Sequence, residues 1–345
     1  MRKKQKHILV IRLSAMGDVA MCVPVLRAFV KQNPEVKITV LSRAFFKPLF
    51  KGLHNVDFFT ADLDGKHKGV FGLYRLYKEL ELIRVDAVAD LHNVLRSKII
   101  RFFYTLSRNK IVTIDKGRAE KKALTRSEQK VFKQLKISHE RYADVFRKLG
   151  FILDLSNPEF PKKEELADFP FSTKKEKNIK WIGIAPFAQY QSKMYPLDLI
   201  EEVISGLVNL KQFRLFLFGG GKNEIEILED LSSKFDNVTN VAGKVKFIEE
   251  LNLIAHLDCM MSMDSANSHL SAMQGVQTIT LWGVTHPYAG FAPFNQSFKQ
   301  MILPDLEMYP NIPCSIYGNK VCRGYEDTMR SIPPEKVIDS IKKCI

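Results

Sequence analysis

The 345-residue sequence lacks the features that mark several large classes of protein. No segment approaches the roughly 18–20 consecutive apolar residues that a transmembrane helix requires, so a membrane span is not expected. Neither Gly-x-Gly-x-x-Gly nor Gly-x-x-x-x-Gly-Lys-Ser/Thr occurs, which argues against a nicotinamide dinucleotide fold and a P-loop. The basic N-terminus leads into the short apolar run 8–13, which is interrupted by Arg12. That run predicts a first strand and does not fit a signal peptide.

The five cysteines are few, odd in number and without a Cys-x-x-Cys pair. Cys22 and Cys259 lie in apolar runs and are predicted to be buried thiols. Cys314 and Cys322 lie eight residues apart in a glycine-containing loop, where metal binding and pairing both stay open. A reducing cytoplasm fits this cysteine usage best.

Positive charge is abundant: 52 Lys and Arg face 38 Asp and Glu, a net charge of +14. Such an excess suggests an anionic partner, which can be a nucleotide, a nucleic acid or an acidic lipid surface. The alternative is a set of solvated helix faces. The candidate contacts lie on two predicted helices: Arg96, Lys98 and Arg101 on the first, and Arg118, Lys121, Lys122 and Arg126 on the second.

Short β-branched or apolar runs alternate with helical patterns along almost the whole chain, which predicts parallel sheets covered by helices. A segment from about 154 to 178 interrupts the alternation with three prolines and many charges, as an interdomain linker does. The fold class is therefore α/β, with two doubly wound, Rossmann-like domains facing a central cleft. A helix is predicted over 118–136, and a C-terminal helix can pack back on the N-terminal domain. The expected domains are 1–155, a linker 156–178, 179–330 and the C-terminal helix 331–345.

One strand-to-helix turn stands out in the second half of the chain. The apolar run Cys259–Met263 leads into Asp264, Ser265, Ala266 and Asn267, and then into a helix-compatible run containing His269. A helix start presents free N–H groups and a positive dipole end, which suit a phosphate or diphosphate. The structural alternative is that Asp264 and Ser265 cap an ordinary crossover helix.

Similar turns follow other predicted strands. Ser14, Met16 and Gly17 precede Asp18 at the start of a helix, where Asp18 is either a helix cap or a carboxylate facing the cleft. Lys193 is the one cation of a polar loop, where it could neutralise a diphosphate. The alternative is that it is an ordinary exposed lysine without a function in the site. Two further turns carry small or polar residues that suit a nucleotide: Gly219 and Glu224 in one, and Gly283 and Thr285 in the other.

Three segments together resemble glycosyltransferase family 9, the heptosyltransferase group of lipopolysaccharide core assembly. They are HILVIRLSAMGDVAMCVPVLRAF, APFAQYQSKMYP and SMDSANSHLSAMQGVQTITLWGVTHP, in the order that the family has them. Ser265 and Ala266 replace the Thr and Gly that the family often has in the third segment. Ser265 keeps the hydroxyl group, whereas Ala266 adds a methyl group beside the expected phosphate site.

The resemblance implies a GT-B architecture, with the acceptor bound by the N-terminal domain and the nucleotide-sugar by the C-terminal domain. Asp18 matches the family's general base, and Lys193 matches the lysine that stabilises the diphosphate. Glu224 corresponds to the ribose-binding acid. The nucleotide-sugar site implied is Gly219, Glu224, Asp264, Ser265, Ala266, Asn267, His269, Gly283 and Thr285. The acceptor site expected is Ser14, Met16, Gly17, Arg118 and Lys122.

The function implied is inverting transfer of a heptose from ADP-heptose to the lipopolysaccharide inner core or a lipid A precursor. No metal or cofactor is expected, because helix dipoles with Lys193 can stabilise the leaving group. The expected partners are the donor, a phosphorylated core acceptor and the anionic inner membrane surface, but no nucleic acid. The expected location is the cytoplasm, including the inner face of the inner membrane. The alternatives are another nucleotide-sugar, a sugar-nucleotide epimerase and a basic nucleic-acid-binding protein.

Overall fold

The computed structural model describes residues 5–107, 109–166, 169–320 and 322–345. The chain forms two units: Met1–Lys116 with Ser138–Glu159, and Gly117–Ile137 with Phe160–Ile345. The change of unit at Glu159 falls inside the predicted linker 156–178, of which Ala167 and Asp168 lie outside the described residues. The division of acceptor and donor binding between the predicted domains stays a prediction.

Unit 1 is built on a five-stranded parallel sheet of order β3-β2-β1-β4-β5. Its central strand pairs with both neighbours, so that Ile8 lies between Ile38 and Ala87. Both faces of the sheet are covered, which is why β1 is a continuous apolar run. The elements are β1 Lys6–Ile11, α1 Met16–Ala20, α2 Cys22–Gln32, β2 Val36–Ser42, β3 Val56–Thr60, α3 Gly69–Glu81, β4 Ala87–Asp90, α4 Leu95–Leu106, β5 Lys110–Thr113 and, after a segment of unit 2, α6 Ser138–Leu149.

Unit 2 is built on a six-stranded parallel sheet of order β11-β10-β9-β6-β7-β8. Its core joins the apolar faces of the strands and of the helices α7 and α11. The elements are α5 Arg118–Leu124, β6 Lys180–Ala185, α7 Leu197–Asn209, β7 Phe213–Leu217, α8 Lys222–Ser233, β8 Val238–Asn240, α9 Phe247–His256, β9 Cys259–Met263, α10 Ala266–Ala272, β10 Gln277–Leu281, β11 Met301–Ile302 and α11 Pro334–Cys344. Two doubly wound units confirm the predicted α/β class.

In each sheet the chain reverses its winding direction between two neighbouring strands: β1 and β4 in unit 1, and β6 and β9 in unit 2. In open α/β sheets, ligands bind beyond the carboxyl ends of the strands at this switch point. Asp18 follows β1, Lys193 follows β6 and Asp264 follows β9. The topology therefore brings the main predicted site residues to the switch points.

The segment 117–137 differs from its prediction. The predicted helix over 118–136 ends at Leu124, and residues 125–137 form neither helix nor strand. The N–H of Leu135 donates to the carbonyl of Tyr288 at 2.9 Å, and Leu124 and Leu135 pack on Ala289. These tertiary contacts within unit 2 replace the backbone hydrogen bonds of a longer helix.

The C-terminal helix α11 packs within unit 2. Val337 and Ile341 belong to its core, and Ile338 lies against Gly206 of α7 so closely that a Cβ there would be 2.4 Å from its Cδ1. The expectation that the helix packs back on the N-terminal domain stays a prediction. The short strands β3 and β11 are not predicted by the sequence, since Val56–Thr60 is partly exposed and β11 has only two residues.

Cys314 and Cys322 form a disulfide, which decides between the two alternatives that the sequence left open. Cys22 and Cys259 are buried free thiols, as predicted. Among the described residues, no helix combines the length and the hydropathy needed to cross a bilayer.

Candidate functional site

A first candidate site is the turn between β1 and α1 in unit 1. Ser14, Met16, Gly17 and Asp18 lie together there, with Ala15 as the residue that precedes the helix. Asp18 is in the first turn of α1, where its negative charge is favourable beside the helix dipole. It is not the N-cap residue, so the simple capping role does not apply. Its side chain is 34% exposed and can meet a ligand.

Arg12 directly follows β1 and forms an ion pair with the Asp18 carboxylate. Its guanidinium is buried and also donates to the carbonyl of Leu91 at 2.7 Å. Burial alone would lower the pKa of Arg12, but the adjacent Asp18 carboxylate raises it above its usual value. The cation is therefore permanent, and it fixes one side of Asp18 while the other side stays open to solvent.

His92 follows β4 and lies beside this pair. Its Nδ1 accepts a hydrogen bond from the N–H of Leu13 at 3.3 Å. Burial, and then the positive charges of Arg12 and Lys116, lower the pKa of His92 to about 3. His92 is thus neutral near pH 7.

A second candidate site lies in unit 2, where three strand ends meet. The Lys193 ammonium is 3.1 Å from Oδ2 of Asp264, and the hydroxyl of Thr285 donates to the same oxygen at 2.9 Å. The three residues follow β6, β9 and β10. Asp264 is therefore a positioning group for Lys193, whose side chain keeps 12% of its surface exposed.

Two glycines allow neighbouring loops to lie close to the loop that carries Lys193. A Cβ on Gly283 would be 2.2 Å from the carbonyl oxygen of Ser192, so only glycine lets the β10 turn lie against the Lys193 loop. Gly318, at φ +78°, lies against the side-chain stem of Lys193, and its carbonyl accepts a hydrogen bond from Ser192 at 2.7 Å. Gly318 belongs to the loop that the Cys314–Cys322 disulfide closes. The loop closed by the disulfide therefore packs against one side of the Lys193 side chain.

The turn after β9 does not use its side chains as helix caps. Ser265 precedes α10, but its hydroxyl makes no capping hydrogen bond and is a buried group without a partner among the described residues. Asp264 is directed to Lys193 and Thr285 instead. Ala266 and Asn267 are the first two residues of α10, and His269 is buried one turn along. A polar ligand atom at Ser265 would satisfy an otherwise costly buried hydroxyl.

Glu224 lies in the first turn of α8 and folds back on the glycine-rich loop. Its Oε2 accepts a hydrogen bond from the N–H of Gly220 at 2.7 Å, and a Cβ on Gly219 would come within 3.1 Å of the same oxygen. The loop and the carboxylate therefore hold each other in place. One carboxylate oxygen takes part in this contact, which leaves the other for a ligand.

The remaining predicted residues are two of the expected acceptor contacts. Arg118 and Lys122 are exposed on α5, which belongs to unit 2, whereas Ser14, Met16 and Gly17 belong to unit 1. Lys121 is buried with its ammonium 4.0 Å from the ring centre of Phe291.

Arg12 and Gly318 are site residues that sequence reasoning missed. Arg12 could have been found, because it is the one charge in the buried run 8–13. No local pattern of the sequence indicates that Gly318 touches Lys193. Among the described residues, no cluster of three His, Cys, Asp or Glu side chains is arranged to hold a metal ion.

Comparison with known proteins gives a consistent result. The sequence model of the family described as glycosyltransferase family 9 (heptosyltransferase) matches residues 73–315. The chain is 25% identical to the lipopolysaccharide core heptosyltransferase OpsX of Haemophilus influenzae, over 84% of this chain and 82% of that protein. It is 24% identical to lipopolysaccharide heptosyltransferase 2 of Salmonella typhimurium, over 97% of each chain.

Solved structures show the same fold. A family 9 glycosyl transferase from Veillonella parvula aligns with a TM-score of 0.76 and 19% identity, covering 100% of this chain and 98% of its own. The E. coli heptosyltransferase WaaC with ADP aligns with a TM-score of 0.68 and 18% identity, covering 98% of this chain and 100% of its own. These similarities confirm the expected GT-B fold.

Proposed function

The chain belongs to glycosyltransferase family 9, and from this membership we propose that it transfers a heptose from ADP-heptose to a lipopolysaccharide inner-core or lipid A acceptor, with inversion. The observation that carries the proposal is the Lys193–Asp264–Thr285 cluster at the switch point of unit 2. A cation held at this point supports the proposal, because ligands of such sheets bind at the switch point. The relatives named as lipopolysaccharide heptosyltransferases support the choice of sugar and acceptor.

In the proposed reaction, Asp18 accepts the proton of the acceptor hydroxyl while that oxygen attacks the anomeric carbon. The bond between that carbon and the diphosphate oxygen breaks, and its electron pair leaves with ADP. Attack from the face opposite the leaving group inverts the anomeric configuration. A carboxylate within hydrogen-bond reach of the hydroxyl supplies this proton transfer. The Arg12 ion pair supports the role because it fixes the orientation of Asp18.

Lys193 offsets the charge that develops on the departing diphosphate. An ammonium has three N–H donors, and Asp264 takes one of them. The others, the unpartnered Ser265 hydroxyl and the first N–H groups of α10 are the proposed diphosphate donors. Glu224 is the proposed ribose ligand.

The same proposal assigns the acceptor to unit 1, with Ser14, Met16 and Gly17 as contacts, and the donor to unit 2. Arg118 and Lys122 are proposed acceptor contacts supplied by unit 2. The proposed location is the cytoplasm at the inner face of the inner membrane, since an acceptor of this kind is anchored in lipid.

Calorimetry with ADP, UDP and GDP tests the donor site. We expect selective ADP binding, weakened about 10-fold or more by Lys193→Ala because a charge-assisted hydrogen bond is lost. The control Lys299→Ala changes an exposed lysine of the same unit and should bind ADP normally. Selective UDP or GDP binding would indicate a donor other than ADP-heptose. RNA retention without nucleotide binding would contradict the proposal that the chain is a transferase.

Asp18→Asn tests the proposed base. The variant should keep its ADP affinity, while kcat for transfer falls by about 10²–10⁴ because the amide does not accept the proton. A normal kcat in this variant would remove Asp18 from the mechanism without affecting the donor site.

A further inference from the structure

Two helices of unit 1 leave an unusual number of large apolar side chains exposed. α3 and α4 pack together, and most of the exposed large apolar residues of unit 1 belong to them or to the residue after α3. Phe71 is 91% exposed, Phe102 61% and Leu106 70%. We call the set the α3–α4 face: Val70, Phe71, Tyr74, Leu82, Leu95, Phe102 and Leu106.

The face is continuous across the two helices. The Tyr74 ring lies 5.2 Å from the Phe103 ring, which lies 5.9 Å from the Phe102 ring. On α3 the spacing of Phe71, Tyr74 and Leu82 follows one side of a helix, as the spacing of Leu95, Phe102 and Leu106 does on α4. The exposed residues therefore form stripes on neighbouring helices, which differs from single apolar residues scattered over a surface.

Positive charge surrounds this apolar surface. The helix α4 carries Arg96, Lys98 and Arg101 and has no carboxylate in its sequence. Arg101 is paired with the buried Asp90, whereas Arg96 and Lys98 are exposed.

On α3, the carboxylates are already paired. Glu79 pairs with Lys66, and Glu81 pairs with Lys78. The exposed Arg75 adds a further cation to the same helix.

We propose that the α3–α4 face docks the enzyme on an anionic lipid bilayer, with its apolar side chains in the headgroup region and its cations on the lipid phosphates. This rests on the proposed function, which gives the enzyme a lipid-anchored acceptor. Exposed Phe and Leu beside Lys and Arg are the composition of helices that lie in a membrane interface. The lack of free carboxylates matches the charge of the lipid surface.

An introduced tryptophan tests the contact directly. The native Trp181 and Trp282 are both buried, so Phe102→Trp adds an exposed fluorophore that is easily distinguished. Its emission should shift to shorter wavelength with vesicles of phosphatidylcholine mixed with phosphatidylglycerol, and brominated lipid should quench it. Unchanged emission with these vesicles would overturn the proposal.

A matched pair of double variants measures the contribution of the face. Lys98→Gln with Phe102→Ser removes one cation and one ring from α4, and should weaken binding to the anionic vesicles by about fivefold for the charge and about tenfold for the ring. The control is Lys148→Gln with Ile152→Ser, an exposed cation and an 81% exposed apolar residue at the same spacing outside the face. The control should bind the vesicles as the wild type does.

Transfer to a water-soluble acceptor separates this proposal from the proposed function. The face variant should keep the wild-type kcat with the soluble acceptor and lose activity with an acceptor embedded in vesicles. Equal vesicle binding by the two double variants would refute the docking face even if transfer is normal. A dimer that dissociates in the face variant would also refute it, since a second copy would then be the occupant.

Discussion

Replacing Gly318 with alanine should displace the Lys193 side chain, although residue 193 itself is unchanged. Gly318 lies in the loop closed by the Cys314–Cys322 disulfide and has φ +78°. An alanine Cβ would be 2.6 Å from Cγ and 2.8 Å from Cδ of Lys193. The variant therefore tests whether the disulfide loop positions the lysine.

The size of the effect follows from these distances. Carbon atoms in contact prefer a separation of about 3.5–4.0 Å, so the lysine stem must move by roughly 1 Å. A shift of this size breaks the 3.1 Å contact between Lys193 and Asp264. Since a misplacement of about 1 Å can cost about 10²-fold in rate, we expect kcat for transfer to fall by about that factor. The left-handed backbone also costs about 1 kcal/mol of stability with alanine.

Gly324→Ala is the matched control. Gly324 has the same φ of +78° in the same unit, but a Cβ there has no neighbour within 4 Å. Steady-state transfer kinetics and urea unfolding should show a similar loss of stability in both variants, with kcat lowered only in Gly318→Ala. If Gly318→Ala keeps its kcat, or if both variants lose it equally, the disulfide loop does not position Lys193.

Two further predictions concern stability. Replacing Cys314 and Cys322 with serine should lower the free energy of unfolding by about 2–3 kcal/mol, because the disulfide closes a loop with a sequence separation of 8; urea unfolding that matches the wild type would contradict this. Burial, and then the charge of Lys130, lower the pKa of His286 to about 4 from 6.5, so the unfolded chain binds this proton first as pH falls. The contribution of His286 to the free energy of unfolding is therefore fully present above pH 6.5. About 3 kcal/mol of it is lost as the pH falls from 6.5 to 4. Urea unfolding at several pH values checks this. In His286→Gln the free energy of unfolding should fall less steeply between pH 6.5 and pH 4 than in the wild type. An unchanged dependence on pH would show that the fold does not keep His286 neutral.

The sequence predicted the α/β class well because the signals involved are local. A buried parallel strand such as β1 is an apolar run, and an amphipathic helix such as α3 repeats its apolar residues every three or four positions. The predicted helix over 118–136 failed because tertiary hydrogen bonds, such as that from Leu135 to Tyr288, compete with its backbone bonds. Propensity is a weak guide where such contacts are available.

The sequence by itself determined which turns carry polar side chains, because each strand end is marked by a change from apolar to polar residues. The positions of Asp18, Lys193 and Asp264 in turns after strands therefore follow from the sequence, whereas the roles expected for Asp18 and Lys193 rest on the family resemblance. Only the tertiary structure decided that Lys193 meets Asp264, from which it is separated by 71 residues, and that Arg12 holds Asp18. The physical reason is that strand order and register bring distant turns together, and short-range patterns of hydropathy do not contain that information.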